Sequence, residues 1–156
     1  MKDPFAKFKE LYLAGRDDEA LHELASVEKE HSLSIDVLII KGACIQLGSG
    51  TAPYTLSDAE AAYKKALEID PENLEALIEV GYYYFVMDNR ADIARPYFDK
   101  ALSIARIRLS EAIKGIAECI SETAPSEALG FIEQAVKNAV DSQIIDKTVA
   151  EIKKLI

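Results

Sequence analysis

The sequence predicts an all-α protein made from one helical hairpin repeated about four times. Three observations lead there. A small-large-small motif recurs at nearly constant intervals, apolar residues within the intervening segments recur at spacings of three and four, and helix-start and turn residues fall at the joints. Ala20, Leu24 and Val27 share their spacing with Ala59, Tyr63 and Ala66, with Ala94, Phe98 and Ala101, and with Ala128, Ile132 and Ala135. The leading alanines lie 39, 35 and 34 residues apart, the interval of a helix-turn-helix unit.

Asp3-Pro4 supplies an N-cap and a proline for the first helical position, so a helix is expected over 4–14, closed by Gly15. The next spans 17–31, and a third, 34–47, stops at Gly48. Ser57 with Glu60 three residues on reads as a capping box for a helix over 58–69, which Asp70-Pro71 ends. Helices over 72–87, 91–106, 109–123, 126–140 and 142–155 complete the series, Pro125 marking one joint. Leu74, Leu77, Ile78, Gly81, Tyr84 and Phe85 form the packing face of one helix, and Ile145, Val149, Ile152 and Ile156 that of the last. Alanine recurs in the second helix of each pair because a methyl lets two helix axes approach closely, and Gly42 and Gly81 play the matching part in the first helices.

These residues resemble the tetratricopeptide repeat family, which has a small residue midway along the first helix, then alanine, a large residue and alanine, with proline at the junction. The match is best from Ser57 to Leu102, where Ala59, Tyr63, Ala66, Leu67 and Pro71 close one repeat and Leu77, Gly81, Tyr84, Ala94, Phe98, Ala101 and Leu102 fill the next. One extra residue falls in the turn near Asp88 and Asn89. The first copy has Phe8 where glycine is typical, and the fourth has Ile116 there beside Gly115. The second copy carries about five extra residues within Leu47–Tyr54. The resemblance implies a right-handed superhelix of about four repeats, approximately 1–33, 34–73, 74–108 and 109–141, with a capping helix at 142–156.

At 156 residues, 49% of them hydrophobic and 29% charged, the chain is read as one domain, 1–156. The Met1-Lys2-Asp3-Pro4 start lacks the features of a secretory signal, and no apolar run is long enough to span a bilayer, so a cytoplasmic location is expected. The net charge of -9 opposes nucleic acid and anionic membrane and favours a basic protein partner. Cys44 and Cys119 both lie in apolar helical patterns and are read as small hydrophobes.

No pattern nominates an enzyme. His22 and His31 stand nine residues apart without a metal-spaced neighbour, and Gly48-Ser49-Gly50-Thr51 lacks the lysine and preceding strand of a phosphate loop. That glycine-rich stretch is read as a flexible turn. Glu75 and Glu79 have no third group to complete a catalytic site. No cofactor or metal is expected.

Two of Tyr82, Tyr83, Tyr84 and Phe85 should be core. By the family's geometry the first helices line a concave face, which places Ile78, Tyr82 and Phe85 there with Glu75 and Glu79 beside them. The equivalent positions of the flanking helices are Asp36, Ile39, Ile40, Ala43 and Gln46 on one side and Ser110, Ile113, Lys114 and Ala117 on the other. Family members that grip a C-terminal carboxylate use lysine, arginine and asparagine at such positions, and this chain lacks that set. The expected function is a non-catalytic adaptor or scaffold that holds a protein or peptide on this face as a monomer or homodimer. An acidic inhibitor or immunity protein neutralising a basic toxin such as a nuclease, and a homo-oligomeric structural protein with no other ligand, are the alternatives.

Overall fold

The computed structural model describes residues 3–139, 150, 153 and 154. Among the described residues it is all-helical, without strands. Seven α-helices are present: α1 (Ala6–Leu13), α2 (Asp17–Val27), α3 (Ile35–Leu47), α4 (Leu56–Ile69), α5 (Leu74–Tyr82), α6 (Ala91–Ser121) and α7 (Pro125–Lys137). A π-turn, Tyr83–Met87, extends α5. The expected last helix, 142–155, falls outside the described residues apart from positions 150, 153 and 154. By contacts the chain divides into two compact units, Met1–Ile104 and Ala105–Ile156.

Local chemistry sets the helix ends. Asp3 accepts a hydrogen bond from the Phe5 N–H at 2.9 Å and so orders the first turn. Gly15 takes φ +67° after α1, and the Arg16 N–H closes back on the Leu11 carbonyl at 3.0 Å, the six-residue closure that a left-handed residue makes possible. The capping box of α4 lies two residues earlier than Ser57. Thr55 is the N-cap, and the Asp58 carboxylate accepts from its N–H at 2.7 Å and from its hydroxyl at 2.8 Å. Glu60 is thereby freed to bond Lys64 and the Tyr84 hydroxyl. The Asp70-Pro71 turn is longer than expected, and α5 starts only after Asn73, whose side chain accepts from the Ala76 N–H at 2.9 Å.

The first unit packs as adjoining hairpins: α1 lies on α2, α3 on α4, and α2 and α4 link each hairpin to the next, while α1 touches α3 and α3 touches α5. Close approach depends on glycine and alanine. The Tyr63 ring lies on Gly42, where an added Cβ would come 2.5 Å from Cε1 and 2.9 Å from Cε2. Phe98 lies on Gly81 in the same way, 2.8 Å from Cε1 and 2.9 Å from Cζ. Ala20, Ala59 and Ala94 are buried, and in the first hairpin Phe8, standing in the glycine position, and Leu24, standing in the ring position, are both fully buried.

Where the sequence reading expects one extra residue in the turn near Asp88 and Asn89, the helix ends in a π-turn, which takes in one residue more than an α-turn. The Asp88 N–H reaches back to the Tyr83 carbonyl, and Asn89 at φ 52° then turns the chain so that the Arg90 N–H meets Tyr84 at 2.8 Å. Asparagine tolerates that left-handed conformation better than most residues.

The largest departure from the sequence reading is α6, which runs unbroken from Ala91 to Ser121 across the expected joint between 106 and 109. The stretch Ala105-Arg106-Ile107-Arg108-Leu109 contains no glycine, proline or capping side chain, and arginine, alanine and leucine are strong helix formers, so nothing local stops the helix. The fourth hairpin, expected to begin with a separate helix at 109, therefore has none. Pro96 is accommodated in the second turn of α6, where it forgoes one backbone hydrogen bond.

Candidate functional site

Three grooves in the first unit gather most of the residues that the sequence nominated. Asp36, Ile39 and Glu75 line a groove of about 610 Å³ with Leu33, Ile35 and Ile69. Ala43, Glu79 and Tyr82 line a second, of about 320 Å³, together with Tyr12, Gln46, Leu47, Val86 and Met87. Tyr82 and Phe85 line a third, of about 430 Å³, with Ala94, Arg95 and Phe98. All draw on the face where α1, α3 and α5 lie side by side or on the edge beside it.

Of the aromatic run, Tyr83 and Tyr84 are buried, whereas Tyr82 is 51% and Phe85 54% exposed. Tyr84 is fixed by its bond to Glu60 and by stacking on Tyr97 at 5.8 Å. Tyr82 is held edge-on to Phe98 at 5.1 Å, so it is exposed yet immobilised by packing. Leu47, Val86 and Met87 are also exposed, which makes this end of the face apolar.

The remaining nominees are placed differently. Ile78 packs with Leu77, Ala101 and Ile104 and lines none of the three grooves. Asp36 is not a free charge: Lys9 of α1 pairs with it at 2.6 Å and Ser34 bonds it, which holds its carboxyl below the usual range. Ile113, Lys114 and Ala117 belong to the second unit, where they line a groove of about 510 Å³ with Ala128, Leu129, Ile132 and Val136 of α7. They do so because the stretch is the continuation of α6, with α7 folded against it.

Glu79 is the one carboxylate of the second groove and makes no ion pair among the described residues. Burial, and then the charge of Glu75 one turn away, push its carboxyl above the ordinary value, while the Tyr63 hydroxyl opposes the shift. Tyr63 is itself wholly buried and bonded by Gln46 Nε2. Of the cations on or just after α1, Lys9 pairs with Asp36 and Arg16 with Glu19.

Sequence reasoning missed Tyr12, Leu47, Val86 and Met87. A signal for Tyr12 existed: it stands four residues after Phe8, as Gln46 does after Gly42 and Phe85 after Gly81. The glycine-rich loop is also better anchored than a flexible turn. Asp18 accepts from the Ser49 N–H at 3.0 Å and its hydroxyl at 2.6 Å, Ala52 is buried, and the Tyr54 hydroxyl donates to Glu28 at 2.8 Å. Lys41 pairs with the same Glu28 at 2.6 Å and sits 4.3 Å over the Tyr54 ring.

Burial pushes the Cys44 thiol up to about 12, whereas Cys119, expected in an apolar face, is exposed. Both histidines are exposed, His31 edge-on to Phe5. Among the described residues no three His, Cys, Asp or Glu side chains cluster so as to hold a metal ion, and no helix is long and apolar enough to cross a membrane. In comparison with known proteins, no family model matches the chain, and no curated protein matches its sequence.

Proposed function

We propose that the chain is a non-catalytic protein-interaction module of the tetratricopeptide kind, which holds a basic protein or peptide on the face formed by α1, α3 and α5. The observation that carries this reading is the pairing of an exposed aromatic edge, Phe85 and the Phe98-packed Tyr82, with a carboxylate, Glu79, that makes no ion pair among the described residues. Immobilised aromatic side chains lose little entropy on binding and supply large contact area. The repeat reading is supported by the two glycine-to-ring contacts, Gly42 with Tyr63 and Gly81 with Phe98, which recur at equivalent places in successive hairpins. Adjoining hairpins build a rigid surface larger than any one helix offers, and neighbouring repeats then share one binding face.

The net charge of -9 favours a cationic partner and opposes nucleic acid and anionic lipid. The test is affinity capture from the source cell with the intact chain and with a Tyr82→Ala, Phe85→Ala double variant, each shown by circular dichroism to be folded. A partner retained by the first and lost by the second supports the proposal. Equal retention by both removes this face from consideration.

A further inference from the structure

We infer that the groove between α1, α3 and α5 is a side-chain pocket for an arginine of the partner, with Glu79 as its counter-charge. This rests on the protein-binding reading above and specifies its chemistry. The pocket has walls of two kinds. Leu47, Val86, Met87 and Ala43 offer an apolar surface for an aliphatic stem, and Tyr12 and Tyr82 offer rings against which a flat cation stacks. Glu79 is its only formal charge among the described residues.

No cation pairs with that charge among the described residues, and the Tyr63 hydroxyl is the neutral group that eases it. Lys9 is committed to Asp36 and Arg16 to Glu19, and the Gln46 amide is directed to the Tyr63 hydroxyl. A half-buried carboxylate without a cation weakens the free protein, and an incoming guanidinium removes that cost by pairing with it. The volume of about 320 Å³ admits a planar guanidinium. Arginine fits better than lysine because its head is less strongly hydrated, stacks on aromatic faces and forks onto a carboxylate. A divalent cation is a poor occupant, since one carboxylate falls far short of the oxygen ligands it requires. A second copy of the chain is also disfavoured, because each copy brings a net charge of -9 to the contact.

The test uses the intact chain and a fluorescein-labelled, capped hexa-arginine peptide, read by fluorescence anisotropy at about 0.15 M salt. Hexa-lysine serves as the comparison probe. Glu79→Gln is compared with Glu30→Gln, which makes the same change in net charge at an exposed site outside the groove. Glu79→Gln should weaken hexa-arginine binding about tenfold or more and Glu30→Gln less than about twofold, as expected for a desolvated pair against a surface charge. Hexa-lysine should bind several-fold more weakly than hexa-arginine.

Equal effects of the two variants, or no saturable binding up to about 1 mM peptide, overturn the arginine pocket. A homodimer that Glu79→Gln dissolves, seen by light scattering, overturns it as well. If Tyr82→Ala, Phe85→Ala loses the captured partner while Glu79→Gln keeps it, the pocket fails and the binding face stands. If neither loses it, both fail.

Discussion

Gly42→Ala is the sharpest test of the hairpin packing, because helix propensity and tertiary packing predict opposite signs. In a helix interior the change from glycine to alanine normally stabilises by about 1 kcal/mol. Here the new Cβ would meet Tyr63 at 2.5 Å from Cε1 and 2.9 Å from Cε2, with Cζ struck as well. Carbon atoms in packed cores sit about 3.5 to 4.0 Å apart, so the overlap is about 1 Å on each atom. The ring cannot swing clear, since Tyr63 is fully buried and its hydroxyl is tied to Gln46. The two helices α3 and α4 must separate instead.

Overpacking of this kind costs about 1 to 3 kcal/mol, and three struck ring atoms put this site at the upper end. Subtracting the helical gain leaves a net loss of about 2 kcal/mol. Urea unfolding followed by circular dichroism should show the midpoint falling by about 1 M at unchanged slope. The internal control is Tyr63→Leu. In that background the penalty for Gly42→Ala should shrink by about 1 kcal/mol or more, because the struck atoms are gone. An equal penalty in both backgrounds, or a Gly42→Ala protein as stable as wild type, would refute the contact and with it the assignment of Gly42 to the crossing point. Gly115 gives the converse case: a Cβ there meets nothing within 4 Å among the described residues, so Gly115→Ala should gain up to about 1 kcal/mol.

Glu79→Gln should raise the melting temperature at pH 7. Burial and Glu75 hold the Glu79 carboxyl above its ordinary value of 4.5, so its favourable contribution is complete below that pH and lost as pH rises through the folded value. The advantage of the glutamine variant should therefore fade on acidification toward about pH 4, and a variant less stable than wild type at pH 7 would show that Glu79 has a cation after all. Tyr54→Phe should cost about 1 kcal/mol in urea unfolding by removing the hydroxyl that Glu28 accepts, and no loss would show that the loop is not anchored there. A thiol reagent at pH 8 should label Cys119 rapidly and Cys44 only on unfolding, since Cys44 is buried and its thiol is pushed up to about 12. Rapid modification of two thiols per native chain would contradict that burial.

The helical class and the small-residue crossing points are legible in the sequence alone. Each follows from local information: a periodicity of 3.6 fixes which side chains share a face, and glycine or alanine opposite a large ring is readable from the repeat interval. Thus Gly42 and Gly81 stand out from spacing alone, whereas Tyr82 and Phe85 are set on an exposed face only by the family resemblance, the spacing itself placing Phe85 on the packing face. Near misses were also local, as when Thr55 and Asp58 took the capping box read at Ser57 and Glu60. How those faces are used depends on packing between helices distant in the chain. The fold ends α5 in a π-turn that carries Tyr83 and Tyr84 into the core. The course of α6 through the expected joint at 107 and 108 has a local cause instead, since no residue there interrupts the backbone hydrogen bonds and a repeat interval alone cannot end a helix. Tertiary packing also joined Lys9 to Asp36 and left Glu79 without a cation among the described residues. Which carboxylate finds a cation depends on which helices become neighbours, and that is set by long-range packing that no window of sequence contains.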